Sequence, residues 1–122
     1  MNGRYLAGRD AQAKGQIKWE LDDIEAALVD VKKYQFKETH RIFSELVGVL
    51  SGIKIEGRKV VDGGYCRAAE MHFPKVQGDE AGAVVIYQKN GPLLAYLDEI
   101  DKFPVRLNGG DIVVSGEFIY RI

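Results

Sequence analysis

Ala83-Val84-Val85-Ile86-Tyr87 and, beyond Gln88–Pro92, Leu93-Leu94-Ala95-Tyr96-Leu97 are the runs whose reading decides the fold. The first is apolar without a break and is bounded by Gly82 and Lys89-Asn90-Gly91, which suits a central strand covered on both faces. The second follows across a turn of hairpin length, so the pair reads as an antiparallel hairpin. Downstream, Asn108-Gly109-Gly110 supplies the positive-φ positions of another tight turn. Ile112, Val114, Phe118, Tyr120 and Ile122 are then placed on one strand face together with Gly116. Upstream, Ile53, Ile55 and Val60-Val61 flank a turn or bulge at Glu56-Gly57. After Asp62-Gly63-Gly64, the residues Tyr65, Ala69, Met71 and Phe73 alternate with Cys66, Glu70 and His72. Fourteen glycines punctuate the chain, against three prolines at 74, 92 and 104. At least five short strands without intervening helices predict a mainly β fold, an antiparallel β-sandwich or small barrel.

The first half is less uniform. Residues 2–14 carry Tyr5, Leu6, Ala11 and Ala13 between charges, with Gly8 in the middle, and read as a short, weakly amphipathic helix. Residues 17–31 satisfy two templates: Leu21, Ile24, Leu28 and Val31 have helical spacing, while Ile24, Ala26 and Leu28 alternate. Thr39 has the chemistry of an N-cap, and Ile42, Phe43, Leu46, Val47 and Leu50 recur at helical intervals, predicting a helix over about 40–50.

One domain accounts for the 122 residues, since a chain of this size buries about two thirds of its unfolded surface in one core. With 46% hydrophobic and 29% charged residues, the composition is that of a folded domain. Seventeen basic residues against eighteen acidic ones, a net charge of -1, lack the basic stripe that phosphate neutralisation demands, so no nucleic-acid partner is expected. No apolar stretch reaches membrane-spanning length and residues 1–15 lack the apolar centre of a signal peptide, so no membrane partner and a cytoplasmic site of synthesis are expected. Cys66 stands alone, which excludes an internal disulfide and a cysteine-built zinc site.

Catalysis needs convergent groups, and only His40 and His72 titrate near neutrality. Neither has partners at ligand spacing, and surface or structural roles are expected for both. Cys66 lies beside Arg67, whose charge lowers a neighbouring thiol pKa, yet a free cysteine on a strand reads first as a small buried hydrophobe. The carboxylates of Asp98-Glu99-Ile100-Asp101 and Asp22-Asp23 lack the spacing of a calcium loop and read as charged turns. Gly63-Gly64 and Gly109-Gly110 open no helix and read as turn glycines rather than phosphate cradles. Trp19, Tyr87, Tyr96 and Tyr120 read as core or interface residues at strand spacing. No catalytic residue, metal site or cofactor is expected, and a β-rich module without convergent chemistry points to binding.

The order and distances of several phrases resemble small virion structural proteins of tailed bacteriophages. These are Gly-Gln-Ile-Lys-Trp (15–19), Ile-Glu-Ala-Ala-Leu-Val-Asp (24–30), Tyr34, Thr-His-Arg-Ile-Phe-Ser-Glu-Leu (39–46) and Gly-Arg-Lys-Val-Val-Asp-Gly-Gly (57–64). The most specific are Glu80-Ala-Gly-Ala-Val-Val-Ile-Tyr87, Pro92-Leu-Leu-Ala-Tyr-Leu-Asp98, Phe103-Pro104-Val105 and Asn108-Gly-Gly-Asp-Ile112. The resemblance spans nearly the whole chain and departs around 48–56 and after Ser115. It implies a strand at 24–30, and a non-enzymatic particle component found in the virion after assembly in the host cytoplasm.

Within that class, the expectation is a capsid decoration or cement protein that binds the major capsid protein or other virion proteins as a homo-oligomer. A tail or baseplate-associated component is the alternative, and a carbohydrate-binding module is the alternative from another class. Tyr5, Trp19, Tyr34, Phe36 and Phe103 are the candidate interface residues, and residues 1–15 a docking arm.

Overall fold

In the computed structural model, which describes residues 2–122, the chain begins with β1 (Gly3–Arg4), α1 (Leu6–Ala13) and β2 (Ile24–Val29). It continues through β3 (Val49–Lys54), β4 (Lys59–Val61), β5 (Tyr65–Arg67), β6 (Met71–Phe73), β7 (Glu80–Ala81), β8 (Ala83–Gln88) and β9 (Leu93–Leu97). It ends with β10 (Val105–Arg106), β11 (Ile112–Val114) and β12 (Tyr120–Arg121). Five strands form one antiparallel sheet in the order β1-β9-β8-β2-β3, and the short strands pair as β10-β7, β11-β6 and β12-β5-β4. The mainly β, antiparallel reading with a short N-terminal helix is the fold observed.

The central sheet is covered on both faces, which is why β8 and β9 are apolar throughout. Ile24, Ala26, Leu28, Val84, Ile86 and Leu94 pack on one side against Cys66, Met71, Phe73, Val114, Ile119 and Tyr120 from the short strands. Ala27, Val29, Val85, Leu93 and Tyr96 pack on the other against Tyr5, Tyr34 and Leu46. The β8–β9 ladder slips between Ile86 and Tyr87, and this irregularity turns consecutive Leu94 and Ala95 toward the same core. The strand at 24–30 is present, so the alternating template wins over the helical one: β2 pairs with β8 along its whole length and with β3 on the other side.

The helix expected over about 40–50 does not form. Phe43–Glu45 make one turn of 3-10 helix, Gly48 adopts φ +71, and the chain leaves as β3. The helical spacing of Ile42, Leu46 and Leu50 is overridden by three separate duties. Ile42 bridges Pro92, Leu46 enters the second core, and Leu50 packs on the first.

Two smaller expectations change as well. Ile112, Val114, Phe118, Tyr120 and Ile122 do not share one face. The chain leaves the ladder at Ser115–Ile119, so Ile119 is buried while Phe118 and Ile122 are exposed. The opening segment is no free docking arm, because β1 pairs with β9 and Tyr5, Ala7, Gly8 and Ala11 are buried. A Cβ on Gly8 would stand 2.4 Å from the Leu93 carbonyl oxygen, so only glycine lets α1 sit this close to β9.

Candidate functional site

Three of the five predicted interface residues are core residues. Tyr5, Trp19 and Tyr34 are buried because each has an apolar body and a polar head that finds a partner inside. The Tyr5 and Tyr34 hydroxyls lie 2.8 Å apart, and the Tyr34 hydroxyl lies 2.8 Å from Nδ1 of His40. The Trp19 indole N–H donates to the Arg67 carbonyl at 3.0 Å, and its ring meets Tyr120 edge-on. Phe36 is partly buried, stacked on Tyr96 at 4.9 Å and set against Tyr5. Phe103 is also partly buried, against the first core. The structure does not bring the five together: Tyr5, Tyr34 and Phe36 share the second core, while Trp19 and Phe103 belong to the first, and only Phe36 and Phe103 keep part of their surface exposed.

The cysteine and the two histidines have structural roles. Cys66 is buried and burial pushes its thiol up to about 11, so the neighbouring cation does not activate it. His72 Nε2 pairs with Asp111 Oδ2 at 2.8 Å on an exposed strand, and Asp111 also accepts the Lys75 amide at 2.9 Å. His40 completes the tyrosine relay. The amides of Asp98 and Glu99 donate to the Asn2 side chain, closing that acidic turn on β1. Among the described residues, no three His, Cys, Asp or Glu side chains are grouped to hold a metal. No helix there is long and apolar enough to cross a membrane.

The surface feature that stands out was missed in the sequence. On the outer face of the β12-β5-β4 sheet, Val61 and Arg121 both register with Tyr65, so the three share one side. The Tyr65 ring lies 5.3 Å from that of Phe118, and the Arg121 guanidinium lies 5.3 Å from the Tyr65 centroid while its Nε–H donates to the Gly63 carbonyl. Phe118 and Val61 are exposed. Tyrosine, phenylalanine and arginine beside an exposed valine form the kind of patch that partner proteins cover. In the sequence, Tyr65 and Phe118 read only as residues of two strands, with nothing to bring them together.

This patch leads into a cavity of about 340 Å³ lined by Arg4, Arg9, Glu38, Leu97 and the Phe118–Arg121 segment. Arg4 extends over the Tyr120 ring at 4.2 Å, and its Nη1–H donates to the Arg121 carbonyl at 2.8 Å. No protein family model, curated protein or solved structure matches this chain significantly.

Proposed function

We propose that this chain is a non-enzymatic structural component of a tailed-phage virion, a capsid decoration protein that binds the major capsid protein and stabilises the shell. The observation that carries the proposal is the exposed Val61–Tyr65–Phe118–Arg121 patch, an apolar and aromatic face on a module whose histidines and cysteine are committed to structural bonds or buried. The resemblance of the ordered phrases to small virion proteins is what suggests this setting. A decoration protein acts through many identical contacts, so the affinity of each copy is multiplied when a repeated lattice is bound.

The test is co-sedimentation of the purified chain with empty capsid shells, together with its localisation in purified particles. Saturable binding at a fixed ratio to the capsid subunit, reduced about tenfold or more by Phe118→Asp, is expected, because a charge buried in such a contact is costly. Density confined to the tail would move the chain to the tail or baseplate, and absence from particles would end the virion reading.

A further inference from the structure

We propose that the cavity between β1, α1 and Phe118–Arg121 is a carboxylate-binding site that receives an acidic side chain of a partner protein. The inference rests on the reading of the adjoining patch as a protein interface, and adds the chemistry that the interface recognises.

Arg4 is the central group. Its guanidinium is partly buried against Tyr120, it bonds one backbone carbonyl, and its Nε is buried without a hydrogen-bond partner. Buried guanidinium groups are ordinarily paired with a carboxylate, because desolvation of an unpaired charge is costly. Arg4 has no such partner within ion-pair distance among the described residues. Burial holds its pKa below the ordinary arginine value. The negative character of Tyr120 works against that shift, and the charge of Arg9 adds to it. Arg4 and Arg9 disfavour each other's charge, and Glu38, which lines the same cavity, is not within ion-pair distance of Arg4. Arg9 is exposed on α1, one helical turn beyond Tyr5, and lines the same cavity.

The rest of the lining selects the kind of anion. Phe118, exposed at its mouth, gives the cavity one apolar wall, which suits a carboxylate carried on a hydrocarbon stem rather than a fully hydrated inorganic ion. Glu38 lines the same space, and it makes the site discriminate against ligands of higher negative charge. A neighbouring cavity of about 480 Å³ shares Asn2, Leu97 and Phe118 and is lined by carboxylates together with Lys102, so the arginine pair distinguishes the smaller cavity from it.

The experiment is an NMR titration of the intact chain, following the Nε–H resonances of Arg4 and Arg9. The probes are the blocked dipeptide N-acetyl-Phe-Glu-amide, its Gln analogue and inorganic phosphate. Saturable shifts at Arg4 with the Glu peptide, and at least about tenfold weaker binding of the Gln analogue, are expected from a charge-assisted bond. Arg9→Gln alters an exposed residue, so the variant keeps its fold and should bind the Glu peptide several-fold more weakly. Arg4→Lys should bind it at least about tenfold more weakly, with a native amide spectrum as the control. Equal binding of the Glu and Gln peptides, saturation by phosphate alone, or no saturable shift at Arg4 would each overturn the assignment. Capsid binding without peptide binding would overturn this site and leave the virion reading standing; the reverse would do the opposite.

Discussion

Arg58 ties together three carbonyls that secondary structure leaves open: those of Trp19, Asp22 and Ile55. Its fork thereby fastens the loop before β2 to the end of β3, where the Trp19 ring enters the core. Arg58→Met keeps the stem but removes all three donors, and the expected loss is about 2–4 kcal/mol, read from urea midpoints. Gly8 has a different duty. An alanine there would gain about 1 kcal/mol of helix propensity. The gain is outweighed because its Cβ meets the Leu93 carbonyl at 2.4 Å and the Leu94 Cα at 2.8 Å, both backbone atoms that cannot swing aside. Overpacking of this kind costs about 1–3 kcal/mol, so Gly8→Ala should lower the melting temperature; a rise would show that α1 can shift outward freely. Neither role was legible beforehand. Arg58 sat unremarked between Gly57 and a strand, and Gly8 was noted only as lying in the middle of a helix, not as its point of contact.

At the scale of elements, the central strands were legible, whereas the alternation read over 112–122 missed the break at Ser115–Ile119. The hairpin β8–β9 follows from two apolar runs and a turn, and the opening helix from its spacing. The segment 39–50 was misread because helical periodicity records which residues are apolar, whereas the partners of Ile42, Leu46 and Leu50 lie far along the chain. What replaces the helix is a short turn held by one carboxylate: Glu45 accepts from the amides of Arg41 at 2.7 Å and Ile42 at 3.2 Å. These bonds hold the Glu45 carboxyl below its ordinary value, and they contribute stability above that value that is lost as pH falls through the lowered one. Asp111, held low first by the Lys75 amide and then by His72, follows the same sign. Hydrogen exchange at Arg41 and Ile42 should therefore speed up relative to the core amides as pH falls below the ordinary carboxylate range. Glu45→Ala should produce the same selective increase at neutral pH. Of the candidate interface, aromatic residue types were legible but burial was not: a tyrosine whose hydroxyl finds a partner inside reads the same in sequence as one waiting for a partner outside.

For the molecule as a whole, two cores back to back on one sheet mean that neither layer can loosen without exposing the other side of the same strands. Tyr5, Tyr34 and Tyr96 in the second core, Tyr87 at its margin and Tyr120 in the first are all pushed above the ordinary tyrosine value, chiefly by burial. Their contribution to stability is complete below pH 10 and is lost as pH rises from there toward the folded values. Tyrosinate absorbance of these five should thus appear together with loss of far-ultraviolet structure, in one cooperative alkaline transition. Gradual titration with the fold intact would contradict the double-core arrangement. The same covering on both sides bears on how the chain is made. Its stickiest stretch, 83–97, emerges from the ribosome after the segments that shield its second face but before β11 and β12, which help to close the first. Shortened versions that begin at β3 would leave the tyrosine-lined side bare in water and should accumulate as inclusion bodies, whereas the intact polypeptide stays dispersed.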